Sequence, residues 1–414
     1  MTEDCRRRDT CRLCGGRALS LVLQLTPTPP ANAFVGERAK AAAQACFPLD
    51  LYFCDDCAHV QLLDVVDPRL LFENYVYVSG TSPVFVRHFD DYADAVIRRF
   101  ETGPGSLVVD VGSNDGTLLK AFKARGMKVL GVDPARDIAA RASAAGIETV
   151  ADFFTPALAA DIRRRHGPAA LVTANNVFAH ADDLAGIRDG VKALIEPDGV
   201  FVFEVSYLLD VVEKTLFDTI YHEHLAYHSV KPLRPFFAAG GMAMIAAERV
   251  ASHGGSLRGM AGIAGGPHAR DGSVESLVGL EEKAGLDRAG TLRAFGERID
   301  GLGRELKRLI AGIKADGKSI AGFGAPAKAT TLMHHFGIGP NAIDFIVDDS
   351  PLKQGLYTPG LHVPVLPPDA LYRRRPDYAI ILAWNFAAAI MAKHSAFRRA
   401  GGRFIVPLPK PAVH

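Results

Sequence analysis

The sequence predicts an α/β protein built from two open, mostly parallel sheets behind a small metal-binding module. Three observations carry that expectation. From about residue 106 onward, apolar runs of strand length alternate with helical stretches. Two of those strands, residues 106–111 and 319–323, run directly into glycine turns that open helices. Four of the six cysteines form two CxxC pairs, and all six lie within the first 57 residues.

A chain of 414 residues exceeds one ordinary core, so two or three domains are expected. Hydrophobic content of 48% with 22% charged residues describes a globular chain. A formal net charge of +1 argues against nucleic acid as a partner. The basic cluster Arg6 to Arg8 is not followed by a signal-peptide core. The apolar run 378–392 is too short for a membrane span and contains Asn385. A cytoplasmic protein with reduced thiols is therefore expected, free of membrane and nucleic acid.

The cysteine pairs are Cys11/Cys14 and Cys54/Cys57, each followed by a small residue, Gly15 or Ala58. A CxxC turn directs two thiolates at one point, and two such turns complete a tetrahedral sulfur cage suited to Zn2+. Disulfides or a redox pair are the other readings; a reducing compartment disfavours the first, and a redox site needs no second pair. Four cysteine ligands leave no open position, so the zinc is expected to be structural. It would stabilise a proline-rich segment (Pro27, Pro29, Pro30) that buries little surface. Cys5 and Cys46 are left as free thiols. Residues 67–99 read as turn then helix. Their opening, ENYVYVSGTSP, carries Tyr75, Tyr77, Ser79 and Ser82, and either closes over a ligand or straps two domains together.

In the middle of the chain, strand 106–111 (SLVVDV) enters GSNDG and then a helix over 117–125. The second strand, 128–132, ends in Asp133-Pro134, where a carboxylate can accept from both ribose hydroxyls. A nicotinamide dinucleotide and S-adenosylmethionine both suit such a unit. Asn114 stands where the dinucleotide fingerprint wants its middle glycine and opposes close approach of a pyrophosphate. S-adenosylmethionine has no phosphate, and Asp110 suits its positive end. Methyl transfer is thus favoured over hydride transfer. The candidate cofactor-binding residues are Asp110, Gly112, Asn114, Gly116, Asp133, Pro134, Asp152, Phe153 and Asn175. Residues 173–180 (TANNVFAH) would line the floor between cofactor and acceptor.

After an apolar strand at 199–205 comes YHEHLAYHS, residues 221–229, with two tyrosines, three histidines, a glutamate and a serine. It emerges beyond a strand's carboxyl end, where open α/β sheets place their chemistry. The zinc-protease pattern HExxH fails, because Ala226 occupies the second histidine position. Acid–base chemistry is the expected role. A strand pattern continues over 241–264, where HGGSLR is a bulged strand or a turn.

A long helical stretch, 277–315, precedes SIAGFGAPAKATTL. Gly322, Gly324 and Ala327 form G-x-G-x-x-A before a helix, and Asp348-Asp349 ends a strand downstream. The turn fits a dinucleotide, or with Lys328 the diphosphate of a nucleotide-linked substrate, or it is a duplicated scaffold. Strands at 378–382 and 403–406 complete this sheet.

Taken together, CxxC…CxxC, DVGSNDG, GVDP, YHEHLAYHS, HGGSLR, GFGAPAKATTL and RPDYAIILAWN make the chain resemble the sugar C-methyltransferase family. The resemblance covers nearly the whole chain in order. It implies a zinc-binding domain (1–68), a class I S-adenosylmethionine methyltransferase core (69–265) and a Rossmann-like C-terminal domain (266–414). It implies methylation of a nucleotide-linked 4-keto deoxysugar, at C-3 or C-5, held between the last two domains. Tyr221, Glu223 and His224 match the family's catalytic stretch, Asn176 and His180 its loop after the fourth strand, and Tyr75 its lid. Asp110 stands where other methyltransferases often carry glutamate. From the residues, His224 is the expected base, with Glu223 or Tyr221 orienting it and His180 or a tyrosine hydroxyl donating to the ketone oxygen. Tyr75, Tyr77, Ser79, Ser82, Asn176 and Lys328 are the candidate substrate contacts. The expected partner is a dTDP- or GDP-linked sugar, bound by a monomer. A zinc-containing NAD-dependent nucleotide-sugar dehydrogenase or epimerase is the other class of reading.

Overall fold

The computed structural model describes residues 4–72, 80 and 83–414. The strands run β1 (Cys5–Arg7), β2 (Leu19–Thr28), β3 (Phe47–Cys54), β4 (Val60–Leu62), β5 (Asp64–Val66), β6 (Leu107–Val111), β7 (Lys128–Val132), β8 (Thr149–Val150), β9 (Ala169–Asn175) and β10 (Ile195–Ser206). They continue as β11 (Ala226–Tyr227), β12 (Met242–Val250), β13 (Ser256–Ile263), β14 (Ile320–Phe323), β15 (Ile346–Val347), β16 (Val365–Leu366), β17 (Tyr378–Ile381), β18 (Arg403–Val406) and β19 (Ala412–Val413).

The central sheet has the order β12-β13-β10-β9-β6-β7-β8. Its five strands from β6 to β10 are parallel, and β12 and β13 close one edge antiparallel. Every residue of β6 is buried, as expected of a strand covered by helices on both faces. Chain order reverses between β6 and β9, which opens a crevice beyond their carboxyl ends. The last sheet, β16-β15-β14-β17-β18-β19, repeats this plan, with its reversal between β14 and β17. Helices Thr117–Ala124 and Ala327–Phe336 follow the two glycine turns.

The long helical stretch divides into Ser273–Ala284 and Ala289–Ala315, because Gly285 ends the first helix in the left-handed region (φ 72°). The stretch over 241–264 is a β12–β13 hairpin, and HGGSLR forms its turn and the start of β13. The N-terminal sheet has the order β11-β4-β3-β2, so the module around the cysteines takes its fourth strand from the YHEHLAYHS segment. One continuous apolar core runs from Leu49 and Leu62 through Phe201 and Phe203 to Leu332 and Phe336. Among the described residues, no helix is long and apolar enough to cross a membrane.

Candidate active site and metal centre

The four cysteines of the two CxxC turns converge, with their sulfurs all within 4.8 Å of one another. Cys11 lies 3.6 Å from Cys57 and Cys14 lies 3.6 Å from Cys54. A tetrahedral zinc at about 2.3 Å from each sulfur would hold them roughly 3.8 Å apart, so the cage fits the ion. The residue after each pair, Gly15 (φ 73°) or Ala58 (φ 66°), is left-handed, and its N–H returns to the carbonyl of the first cysteine. That reversal makes each pair a knuckle, and it explains the small residues there.

A cleft of ≈ 720 Å³ lies between the carboxyl ends of the central and C-terminal sheets. Its first wall is the turn after β6. Gly112 is left-handed (φ 71°), and a Cβ there would stand 2.2 Å from Val177 Cγ2, so glycine is required. Asn114 is also left-handed (φ 50°), and its N–H donates to Asp133 Oδ2 at 2.8 Å. Asp133 Oδ1 accepts from the Ala135 N–H at 2.9 Å, and burial lifts its carboxyl above the usual range. The carboxylate therefore braces the turn while facing the cleft. Pro134, Asp152, Phe153, Phe154 and Asn175 extend this wall. Both amide atoms of Asn175 are buried, and its side chain lies within hydrogen-bonding reach of the Tyr92 hydroxyl. A cleft wall with a buried amide and a carboxylate at the end of the second strand fits a nucleoside methyl donor.

The floor carries an imidazole pair. The rings of His180 and His224 are stacked with centroids 4.9 Å apart, and the Tyr221 ring lies 4.1 Å from that of His224. His224 Nδ1 is 2.6 Å from the Thr219 carbonyl oxygen, which can only accept. Nδ1 therefore carries the proton in the neutral ring, which makes Nε2 its unprotonated nitrogen. His180 Nε2 is buried without a hydrogen-bond partner among the described residues. Burial first, and the neighbouring His224 second, hold the His180 pKa well below its ordinary value, so this ring stays neutral.

The opposite wall comes from the C-terminal sheet. Gly324 is left-handed, and the next N–H, that of Ala325, donates to Asp348 Oδ2 at 2.6 Å. Asp348 thus braces the second glycine turn as Asp133 braces the first. Lys328 lies in this wall with Nζ 3.7 Å from the Trp384 ring centroid. Burial lowers its pKa to about 8 against the opposing pull of Asp218. Asp218 is itself buried and accepts from Trp384 Nε1 at 2.5 Å. Lys353, Asn385 and Phe386 complete the wall.

Of the residues expected from sequence, Gly112, Asn114, Asp133, Pro134, Asp152, Phe153, Asn175, Asn176, His180, Tyr221, His224 and Lys328 line this one cleft. Asp110 lies beneath the turn instead, where its Oδ1 accepts from Thr173 Oγ1 at 2.6 Å and burial lifts its carboxyl to about 7. Its place is to tie two strand ends rather than to face a sulfonium. Gly116 is the left-handed residue before helix Thr117–Ala124, set against Ile147 rather than the cleft. Glu223 is buried and accepts from Asn32 Nδ2 at 2.8 Å, while a backbone carbonyl orients His224. Tyr75, Tyr77, Ser79 and Ser82 lie outside the described residues. His222 and His228 are core residues: their Nε2 atoms meet the carbonyls of Phe47 (3.2 Å) and Phe178 (3.4 Å). Sequence reasoning missed Thr219, Asp218 and Trp384. The last, the chain's one tryptophan, was visible in AWN after a strand.

The fold and the cleft define a class I S-adenosylmethionine-dependent methyltransferase carrying a four-cysteine zinc module and a second Rossmann-like sheet. Family descriptions match in the same order: a zinc binding domain over 11–72, a methyltransferase domain over 85–246 and a C-methyltransferase C-terminal domain over 251–409. The chain is 36% identical over 413 residues to the C-methyltransferase NovU of Streptomyces niveus, covering 100% of this chain and 98% of that protein. It belongs to this C-methyltransferase family, and it is a C-methyltransferase. A ubiquinone biosynthesis O-methyltransferase of Burkholderia mallei is 25% identical over 162 residues, 36% of this chain and 70% of that protein. Among solved structures, the magnesium protoporphyrin IX methyltransferase of Synechocystis PCC 6803 with bound SAM is 16% identical with a TM-score of 0.33, covering 44% of this chain and 82% of that chain.

Proposed function

We propose that this C-methyltransferase acts on a nucleotide-linked 4-keto deoxysugar and methylates the carbon beside the ketone, C-3 in our reading with C-5 the other choice. One observation carries the proposal: two braced glycine turns face one cleft across the His180–His224 pair. The first turn accounts for the methyl donor. The second, with Lys328 at the start of a helix, suits the diphosphate of a dTDP- or GDP-linked acceptor. The chain divides accordingly at about residues 68 and 265, and Asn176 and Lys328 are assigned to the acceptor.

Carbon methylation needs a carbanion equivalent, which a ketone supplies by acidifying its neighbour. His224 Nε2 takes the proton from that carbon, and the C–H electron pair becomes the enolate. His180, neutral and with Nε2 available, donates to the oxygen as charge develops there, a role typically worth about 3–4 kcal/mol per donor. S-adenosylmethionine supplies a methyl already made electrophilic by its sulfonium, which departs as a neutral thioether. Tyr221, packed on His224, holds the ring on line, and positioning within roughly 3–3.5 Å is what remains for the protein to supply. Zinc stays in the knuckles and takes no part in the chemistry.

Incubating the protein with labelled methyl donor and a panel of dTDP- and GDP-linked 4-keto sugars tests the proposal. A ketosugar nucleotide heavier by one methyl on carbon supports it. Methylation of none of them, with turnover of an acceptor lacking a nucleotide, contradicts it.

A further inference from the structure

We propose that the metal knuckle is a positioning element of the active site, acting through Arg12. The inference rests on the reading of His180 and His224 as the reacting pair. Arg12 sits between Cys11 and Cys14, so the first knuckle sets where its side chain can reach. Its guanidinium is buried. Nε donates to Asp182 Oδ1 at 3.0 Å, Nη2 lies 2.9 Å from the same oxygen, and Nη1 donates to Gln61 Oε1 at 3.0 Å. The Arg12 backbone N–H donates to that same Gln61 oxygen at 3.1 Å. Arg8 donates to the Asp182 backbone oxygen at 3.1 Å, and Arg6 to its carboxylate.

Asp182 is no remote surface carboxylate. It lines the cleft two residues after His180, and Asp183 caps the following helix Leu184–Leu194. Three arginines from the first twelve residues therefore converge on the loop that carries the proposed oxygen donor. Arg6 is largely exposed and Arg8 is partly so, whereas the Arg12 side chain has 0% exposure. Exposed pairs contribute little, while removing one partner of a buried, hydrogen-bonded pair leaves an uncompensated buried charge and is costly.

A second link starts from the other knuckle. Strand β4 begins three residues after Cys57, pairs with β11, and its Leu62 N–H donates to the Leu225 carbonyl at 2.9 Å. The N–H groups of Leu225 and Ala226 both donate to the Ala179 carbonyl, at 2.9 and 3.1 Å. Residues 179–182 and 224–227 are thus joined to each other and to both knuckles by a continuous frame. The distance between the His180 and His224 rings is set within that frame. A zinc that holds the knuckles together in this way bears on catalysis without touching a reacting atom, and Arg12 is the positioning residue that transmits it.

The test uses the full zinc-loaded chain, with Arg12→Gln, Asp182→Asn and the double variant. Metal content, amide hydrogen exchange over 176–184 and 221–228, and kcat with KM for the methyl donor are read together. Arg12→Gln is expected to keep its metal, to exchange at least about tenfold faster in both segments, and to lose about tenfold or more in kcat with KM nearly unchanged. Asp182→Asn is expected to give the same exchange signature and to add little to Arg12→Gln, since the two act as one unit. Wild-type exchange in both segments, or fully additive effects, overturns the proposal. Should Arg12→Gln lose metal or fail to fold, Asp182→Asn decides alone: faster exchange supports it and unchanged exchange overturns it. Exchange needs no acceptor, so an error in the proposed substrate leaves this result readable.

Discussion

The buried amine of Lys328 offers a sharp prediction about acceptor binding. Its pKa is lowered to about 8, chiefly by burial, with Asp218 opposing the shift. A diphosphate at this helix start needs the ammonium form. With a midpoint near 8, about nine-tenths of the amines are charged at pH 7 and about one-tenth at pH 9. Affinity for a nucleotide diphosphate sugar should therefore fall about tenfold across that interval, roughly 1.4 kcal/mol. Because the bound diphosphate favours the charged amine, binding at pH 8 should take up about half a proton. Titration calorimetry in buffers of different ionisation enthalpy measures both quantities. Asp218→Asn removes the opposing pull, so the loss should begin at lower pH. Lys328→Arg keeps its charge throughout and should remove most of the tenfold fall, leaving only what Lys353 contributes. Lys353, in the same wall and also lowered by burial, acts in the same direction and is separated by its own Arg variant. An affinity that is flat with pH in the wild type, or an unchanged fall in Lys328→Arg, would refute the assignment.

Two further outcomes follow from buried groups. Burial brings His222 and His228 from an ordinary 6.5 to about 4. Between those values the unfolded chain binds more protons than the folded one, so stability falls as pH drops from about 6.5 to 4, by up to about 3 kcal/mol per histidine. A Tm that does not change between pH 7 and pH 4.5 contradicts this. Gly112→Ala would press a methyl against Val177 at a left-handed position. It should cost about 1–3 kcal/mol in stability and weaken S-adenosylhomocysteine binding by about tenfold or more, read by thermal melts and calorimetry.

Local signals carried well into the structure where the answer is local. The strands at 128–132 and 403–406 have the bounds that their apolar runs suggest. The two CxxC pairs met because each turn is followed by a residue free to reverse the chain. Twelve of the expected site residues share one cleft because both glycine turns sit at sheet reversals, which chain order reveals. The remainder depended on partners distant in sequence or silent in it. Nothing in YHEHLAYHS says that His222 and His228 face the core while His224 faces the cleft. That choice is made by packing against Phe47 and Phe178. The Thr219 carbonyl that fixes the His224 tautomer has no side-chain signature. Arg12 and Asp182 are joined across 170 positions, and the borrowed strand β11 helps to bring their surroundings together. An acidic residue on the first strand suits a sulfonium by charge alone, and sequence does not show that the Asp110 side chain bonds to Thr173.

Proton exchange at the acceptor carbon separates the chemistry from everything that surrounds it. With S-adenosylhomocysteine bound and the ketosugar nucleotide in deuterated water, the wild-type protein should wash deuterium into the carbon beside the ketone. His224→Asn should bind both ligands and show no such incorporation. Incorporation at the wild-type rate in that variant would take the base role from His224 and remove the centre of this account.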